Sequence, residues 1–293
     1  MNIIETTGLT KYYGKTRGIE NLNLSVAEGE LFGFIGPNGA GKSTTLRTLL
    51  GLIFSDKGSA RLFGQPIGEN RTALLTRIGF MPGEAVFYPT LRVKEILTLS
   101  ARLRGLDCRA EAARLCERLA LDAERKVGEL SLGNRKKVSI VCALQHKPEL
   151  YLLDEPTGGL DPLVQHTFFA LLKERRDAGA TVFLSSHILT EIQRHCTRAA
   201  IIRGGRIVAC DTIEALTHTH AKRVTVHGAP DLTGLQQIRD LAAVGDGMSF
   251  LYSGALQPLL QRLSAAQLTD LTITEPELDE IFLQYYDTEE AAQ

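Results

Sequence analysis

Long apolar segments are missing from this sequence. No uninterrupted apolar run approaches the roughly 18 to 20 residues that a membrane-spanning helix needs. The first fifteen residues, "MNIIETTGLTKYYGK", lack the basic-then-apolar pattern of a signal peptide. We therefore expect a protein that reaches a membrane only through a partner.

Cysteine pairs and a charge excess are also missing. The five cysteines, an odd number, show no C-x-x-C spacing, which argues against a disulfide framework or a zinc site and favours a reduced, cytosolic setting. The 33 basic and 34 acidic residues leave a net charge of -1, whereas nucleic-acid-binding domains are usually basic as a whole. We expect no nucleic-acid partner.

Short apolar runs alternate with helical patterns along most of the chain. The runs "LFGFIG" (31–36), "LYLLD" (150–154) and "TVFLSS" (181–186) have the length of strands. Helical spacing occupies residues 43–52, several segments between 90 and 120, and residues 162–178. Buried strands that alternate with helices predict an α/β fold around a mostly parallel sheet.

The composition changes near Leu216, and the remainder has the pattern of a small α+β domain. "RVTVHG" and "MSFLYSG" are predicted strands. Two helical faces are predicted, formed by Leu256, Leu259, Leu260 and Leu263, and by Leu278, Ile281, Phe282 and Tyr285. We interpret the acidic final helix as solvated, with an interaction face as the alternative.

The strongest motif is "GPNGAGKST" at residues 36–44, called the phosphate loop below, which fits G-x-x-x-x-G-K-[ST] between a strand and a helix. Such glycines let successive N–H groups point inward, where they and the helix N-terminus bind phosphates. Lys42 is expected to reach the β- and γ-phosphates, and the Ser43 hydroxyl to bind Mg²⁺. The predicted nucleotide-binding residues here are Gly36, Pro37, Asn38, Gly39, Ala40, Gly41, Lys42, Ser43 and Thr44.

Two further strand ends carry candidate chemistry. "YLLDEP" (151–156) places Asp154 to hold Mg²⁺ through its shell and Glu155 to act as general base on the attacking water. Alone, this pair is equally explained by a strand that ends in a polar turn, but a phosphate loop elsewhere in the chain favours the catalytic interpretation. His187 ends another apolar strand, and a lone histidine at such a place is usually structural.

In this order the motifs resemble those of the ATP-binding subunit of ABC transporters. The resemblance covers roughly residues 2–215 and rests on "GPNGAGKST", "LSLGNRKK" (130–137, the signature stretch below), "YLLDEP", "GGLDP" (158–162) and "SSHIL" (185–189). It implies a P-loop NTPase core of the ABC type at residues 1–215, with a helical subdomain at about 84–150. "EPELDEIFLQYY" in the accessory domain, residues 216–293, resembles the extension found on subunits of ABC-2-type exporters.

The resemblance assigns roles to matching residues. Tyr13 is similar to the aromatic residue that stacks on adenine, with Tyr12 as a near alternative and packing in the core as the other explanation. His187 is similar to the histidine that contacts the γ-phosphate and the attacking water, which reverses its structural interpretation. The residues expected to act in trans, across a head-to-tail dimer that traps ATP, are Ser131, Gly133, Asn134 and Asp161.

The implied function is ATP hydrolysis that energises export. The expected cofactors are ATP and Mg²⁺. The expected partners are a second copy or a similar subunit, and a separate polytopic permease that holds the protein at the cytoplasmic face of the cell membrane. In the permease-facing loop, "VFYPTL" (86–91) is predicted to help form the socket for the permease, with ordinary loop packing as the alternative.

Two departures from the family pattern stand out. The usual signature is L-S-G-G-Q, but here Leu132 replaces the first glycine and Asn134 the glutamine. Ser131 remains a good helix N-cap, and the cations Arg135, Lys136 and Lys137 are assigned mainly to a solvated helix face. The family usually has glutamine at the position of Gly83; the neighbouring Glu84 is either a contact of the metal shell or a solvated loop carboxylate.

Other functions fit less well. A soluble ABC-type ATPase that acts on ribosomes or DNA commonly carries two cassettes or a long coiled coil, whereas this chain has one phosphate loop and about 86 residues between Thr44 and Ser131. A P-loop kinase or GTPase would leave the signature stretch, "GGLDP" and His187 unexplained.

Overall fold

The computed structural model describes residues 1–68, 70–217, 221–228, 230 and 232–274. The chain divides into two compact units, residues 1–213 and 214–293. The second predicted helical face of the accessory domain, from Leu278 to Tyr285, lies outside the described residues. Across the described ranges, no helix combines the length and the apolar character needed to cross a bilayer.

The first unit contains ten strands among its described residues, together with most of the helices. The strands are β1 Asn2–Tyr13, β2 Thr16–Ala27, β3 Leu31–Ile35, β4 Lys57–Leu62, β5 Gln65–Pro66, β6 Ile78–Met81, β7 Leu150–Asp154, β8 Thr181–Ser186, β9 Arg198–Arg203 and β10 Arg206–Thr212. The helices are α1 Lys42–Leu49, α2 Arg71–Thr76, α3 Val93–Arg102, α4 Arg109–Arg118, α5 Leu132–Leu144, α6 Pro162–Asp177, α7 Leu189–His195 and, at the unit boundary, α8 Ile213–Thr217.

A six-stranded sheet in the order β10-β9-β3-β8-β7-β6 forms the centre of this unit. All neighbours in it are parallel except β9 and β10, which confirms the predicted mostly parallel sheet. Every residue of β3, β7 and β8 is buried, as expected for strands covered on both faces. Because parallel strands end at one edge, the residues that follow β3, β7 and β8 meet there.

A second sheet, antiparallel and in the order β2-β1-β4-β5, was not predicted, although "LNLSV" (22–26) in β2 alternates apolar and polar residues as a half-buried strand does. Helix α1 packs between the two sheets, since Leu46 and Leu49 belong to one buried cluster with Ile4 of β1 and Phe34 of β3. This packing fixes the start of α1, and with it the phosphate loop, between two rigid layers.

Helices α3, α4 and α5 form the helical part of the unit, and α5 also packs on β6. The described part of the second unit begins with residues 214–217 of α8 and continues as a sheet in the order β12-β13-β11-β14 with helix α9. Its elements are β11 Lys222–Gly228, β12 Ile238–Val244, β13 Gly247–Tyr252, α9 Leu256–Ser264 and β14 Leu268–Thr274. Of the predicted face of α9, Leu259 and Leu263 are buried against the sheet and Leu256 and Leu260 are exposed.

Candidate functional site

The phosphate loop joins β3 to α1 and depends on glycine for its shape. Gly39 and Gly41 have φ angles of 81° and 110°, in the left-handed region that glycine tolerates best. A Cβ atom at Gly41 would lie 2.6 Å from the carbonyl oxygen of Gly18, and one at Gly36 would lie 2.4 Å from that of Ile202. Both positions exclude a side chain unless the backbone moves.

Lys42 lies at the centre of the loop and is buried. Its Nζ donates hydrogen bonds to the carbonyl oxygens of Gly36 at 2.6 Å and Pro37 at 3.1 Å. The same ammonium group lies 3.0 Å from Oε1 of Glu155. The phosphate loop is therefore joined directly to the end of β7.

Both the side chain and the backbone of Glu155 are fixed by contacts. Its Oε2 lies 3.2 Å from Nδ1 of His187, and its N–H donates to the Ser185 carbonyl and hydroxyl oxygens, both at 3.1 Å. Burial raises the pKa of Glu155, but the hydrogen bond and charge of Lys42, together with His187, outweigh burial and lower it overall. The carboxylate is therefore ionised at neutral pH, as a general base must be.

Asp154 offers a buried carboxylate at the end of β7. Its Oδ1 accepts a hydrogen bond from the Ser185 hydroxyl at 2.7 Å, and its Oδ2 would lie 3.6 Å from a Cβ atom at Gly83. No cluster of three or more His, Cys, Asp or Glu suited to a metal occurs among the described residues. Oxygen atoms from one carboxylate and one hydroxyl, here Asp154 and Ser43, suit Mg²⁺, which is usually held by one or two carboxylates and the substrate phosphates.

A pocket of about 280 Å³ opens above the phosphate loop. Tyr13, Asn38, Ser43 and Glu155 line it, whereas Tyr12 does not. The Tyr13 ring comes within 3.0 Å of a Cβ atom placed on Gly18, so it packs against the wall of the pocket. Arg17 also lines the pocket, and no pattern in the sequence had indicated it.

The signature stretch begins α5. Ser131 caps this helix, as predicted, by accepting a hydrogen bond from the N–H of Asn134 at 3.3 Å. Leu132 is 62 % exposed and packs on Gly159, where a Cβ atom would come within 3.3 Å of its Cδ2. The signature stretch and the "GGLDP" turn therefore lie side by side.

The "GGLDP" turn ends in a second helix cap. Asp161 accepts a hydrogen bond from the N–H of Val164 at 3.0 Å and begins α6. Four residues were expected to act in trans, namely Ser131, Gly133, Asn134 and Asp161. Within the described part of this chain, none of them lines the pocket over its own phosphate loop.

Lys136 corrects the assignment of the basic residues in the signature stretch. It is 8 % exposed, and its Nζ donates to the carbonyl oxygens of Gly83 at 2.8 Å and Glu155 at 2.9 Å. Burial lowers its pKa, and the charges of Asp154 and Glu155 offset part of that effect. The expectation of a solvated side chain was wrong for Lys136, because α5 turns this residue toward the end of β7.

Glu84 lies on the outside of the loop that follows β6. Its side chain is exposed, and it makes no hydrogen bond or ion pair with any residue for which the structure gives a position. The polar contact between this loop and the end of β7 comes instead from the Gly83 carbonyl through Lys136.

Comparison with known proteins gives consistent matches. The sequence model described as ABC transporter matches residues 19–158. The bacitracin transport ATP-binding protein BcrA of Bacillus licheniformis is 39 % identical over 227 residues, which cover 75 % of this chain and 72 % of BcrA. The linearmycin resistance ATP-binding protein LnrL of Bacillus subtilis (strain 168) is 32 % identical over 303 residues, covering 96 % and 97 %.

Solved structures match this chain as well. The structure of an ATP-binding subunit of an ABC transporter superposes with a TM-score of 0.68 at 32 % identity, covering 73 % of this chain and 91 % of the other.

Proposed function

The chain belongs to the family of ABC transporter ATP-binding proteins and is an ATP-binding and ATP-hydrolysing subunit of the exporter type; from this premise we propose the residues that carry out the hydrolysis. The observation that carries the proposal is the position of Glu155, between Lys42 at 3.0 Å and His187 at 3.2 Å. The three side chains bring a base and two possible phosphate contacts to one point at the edge of the sheet.

ATP binds in the pocket over the phosphate loop. Tyr13 stacks on adenine, and the loop N–H groups with Lys42 hold the phosphates. Ser43 and Asp154 would hold Mg²⁺, which would neutralise the charge that develops during phosphoryl transfer. Glu155 takes a proton from the attacking water, and His187 contacts the γ-phosphate.

The second half of the ATP site comes from another subunit. Ser131, Gly133 and Asn134 of one chain meet the γ-phosphate held by Lys42 of the other, in a head-to-tail dimer that Asp161 helps to couple. The arrangement within one chain supports this proposal, because the signature stretch lies outside the pocket over its own phosphate loop. The capped start of α5 leaves N–H groups available to an anion from outside.

A membrane permease is the third component, and it holds the chain at the cytoplasmic face of the cell membrane. The loop after β6 supports this docking, since Val86 and Tyr88 are 90 % and 67 % exposed. Apolar side chains so exposed beside each other commonly mark an interaction surface.

Glu155→Gln tests the assignment of the base. We expect hydrolysis to fall by about 100-fold or more, because general-base catalysis contributes on that order. ATP-dependent dimers are expected to persist on a sizing column, since the amide retains the size of the side chain. Hydrolysis at the wild-type rate would show that Glu155 is not the base.

Ser131→Arg is the companion variant for the contact in trans. The arginine side chain is much larger than serine and would fill the space through which the partner's γ-phosphate approaches. We therefore expect dimers to disappear while a single chain still binds ATP. Loss of nucleotide binding by the monomer would contradict a role in trans.

A further inference from the structure

Lys136 is the one buried cation that joins three separate segments of the site in the described chain. It projects from α5, four residues beyond the start of the helix at Leu132. Its ammonium group reaches the loop after β6 at the Gly83 carbonyl, 2.8 Å away, and the segment after β7 at the Glu155 carbonyl, 2.9 Å away. Hydrogen bonds from a charged donor are stronger than neutral ones, so this contact ties α5 to both segments.

The peptide of Glu155 is the element that Lys136 holds. Glu155 has a φ angle of 44°, a left-handed conformation that costs free energy for a residue with a side chain. Ser185 holds its N–H, and Lys136 holds its carbonyl oxygen. The direction of the Glu155 carboxylate therefore depends on Lys136 as well as on Lys42 and His187.

Helix α5 is also the helix whose first residues are proposed to touch the partner's ATP. Between the Ser131 cap and Lys136 there is a little more than one helical turn, so a displacement of the cap moves Lys136 with it. A contact made at the partner's γ-phosphate can thus reach the chain's own Glu155 through one rigid element.

We propose that Lys136 is a positioning residue for hydrolysis, which sets the Glu155 carboxylate of its own chain and connects it to the signature stretch of that chain. This inference rests on the proposed function, specifically on Glu155 as the base. Lys136 is not among the residues that line the pocket over the phosphate loop; it acts through the Glu155 peptide.

The first test compares Lys136→Met with Lys136→Arg and with Lys137→Met, in the purified full-length protein. Lys137 is the matched control, because its side chain makes no hydrogen bond or ion pair in the described part of the chain. For Lys136→Met we expect kcat to fall by about 10-fold or more while the Kd for ATP, measured with a fluorescent ATP analogue, changes by less than about twofold. Lys136→Arg should restore part of kcat, and Lys137→Met should leave it unchanged.

A purely structural role for Lys136 predicts a different pattern. Its replacement by methionine would then lower the thermal midpoint and weaken both ATP binding and kcat. That result would overturn the proposal, as would an unchanged kcat. If Lys136→Met does not fold, the comparison is made with Lys136→Gln, which retains a donor but shortens the reach.

The second test identifies which Glu155 depends on Lys136. In a mixed dimer of a Lys136→Met chain with a Glu155→Gln chain, the only working Glu155 lies on the chain that lacks Lys136. We expect this dimer to hydrolyse ATP about 10-fold more slowly than wild type paired with Glu155→Gln. A rate equal to that pair would place the effect of Lys136 in trans and overturn the proposal.

The matched control carries both substitutions on one chain, paired with wild type. Its working Glu155 then keeps its own Lys136, so the rate should equal that of wild type paired with Glu155→Gln. If the Glu155→Gln homodimer hydrolyses ATP at the wild-type rate, the proposed function itself is wrong. If that homodimer loses hydrolysis as expected but Lys136→Met has no effect, only the inference about Lys136 is rejected.

Discussion

Lys42 has two possible anionic partners, and in the structure it holds one of them. Its ammonium group lies 3.0 Å from Glu155, whereas the proposed function needs it at the ATP phosphates. The incoming phosphates therefore have to compete with a carboxylate whose pKa is lowered, after the opposing effect of burial, mainly by Lys42 itself. In the proposed function, binding of ATP and release of the Glu155 carboxylate are therefore coupled through Lys42.

Removal of that competitor should tighten nucleotide binding. We expect Glu155→Gln to lower the Kd of the monomer for ATP by about 3- to 10-fold, since a charge pair that must be broken no longer exists. The measurement is made in a Ser131→Arg background, where dimers do not form, by titration with a fluorescent ATP analogue.

Glu191→Gln in the same background is the control. Glu191 is a nearby carboxylate that accepts hydrogen bonds from Thr157 at 2.9 Å and Ser186 at 3.1 Å, away from Lys42. Its replacement should leave the Kd for ATP unchanged. Equal or weaker binding by the Glu155→Gln variant would show that the ion pair does not oppose ATP.

At the scale of elements, the partly buried Glu111 joins α4 to α6. Glu111 of α4 accepts hydrogen bonds from Arg175 of α6 and, at 2.7 Å, from Arg114. Lys147, beyond the end of α5, lies 3.3 Å from the same carboxylate. Burial raises the pKa of Glu111, but the hydrogen bonds from Arg114 and Arg175 outweigh it and lower the pKa to about 2.

Glu111→Gln should destabilise the first unit. Removal of the charge leaves Arg175 buried without its anion, and we expect the free energy of unfolding to fall by about 2 to 4 kcal/mol at pH 7. Because the folded pKa of Glu111 is depressed, its stabilisation is present above its unfolded value of about 4.5 and is lost as the pH falls toward about 2.

Urea unfolding followed by circular dichroism checks both statements. The difference between wild type and Glu111→Gln should stay constant from about pH 7 to pH 5 and shrink below about pH 4.5. Glu174→Gln is the comparison, since Glu174 pairs with Arg118 and Arg114 at the surface, and it should cost at most about 1 kcal/mol. A similar loss in the free energy of unfolding for both variants would mean that burial of the Glu111 ion pairs adds nothing to stability.

The sequence predicted those elements whose signal is local. The phosphate loop, the strand that ends in Asp154 and the cap at Ser131 each depend on neighbouring letters, and the structure has a loop, a strand end and a cap there. Lys136 was misassigned because its two partners lie 53 and 19 residues away in sequence. The spacing of apolar residues along a helix does not show which distant segment its polar side chains contact.

The antiparallel sheet was missed for a related reason. Strand β1 pairs with β2 through several register shifts, one of them between Thr6 and Leu9. Each shift adds a residue and breaks the alternation of apolar and polar positions that identifies a strand. Strand β12 has the same defect between Arg239 and Ala242, and its residues are largely exposed.

At the scale of the whole molecule, the proposed function requires that ATP hydrolysis be passed on to a permease by direct contact. The loop after β6 is suited to transmit a change at Glu155 to a permease. One end of the loop, at Gly83, is hydrogen-bonded to Lys136, and the other end exposes Val86 and Tyr88 to solvent. A permease that docks on those side chains would act on a segment that is hydrogen-bonded to the same lysine as Glu155.

Charge placed on that surface should separate docking from hydrolysis. We expect the double variant Val86→Asp, Tyr88→Asp to lose co-sedimentation with washed membranes of the source cells by about 10-fold or more, because a desolvated carboxylate opposes an apolar contact. ATP hydrolysis by the isolated chain should stay within about twofold of wild type, since neither side chain lines the pocket over the phosphate loop.

Leu241→Asp, at an apolar residue of the second unit that is 59 % exposed, should leave membrane binding intact. If the double variant binds membranes as wild type does, the permease docks elsewhere; if Leu241→Asp loses binding equally, the effect is one of added charge and not of the loop after β6.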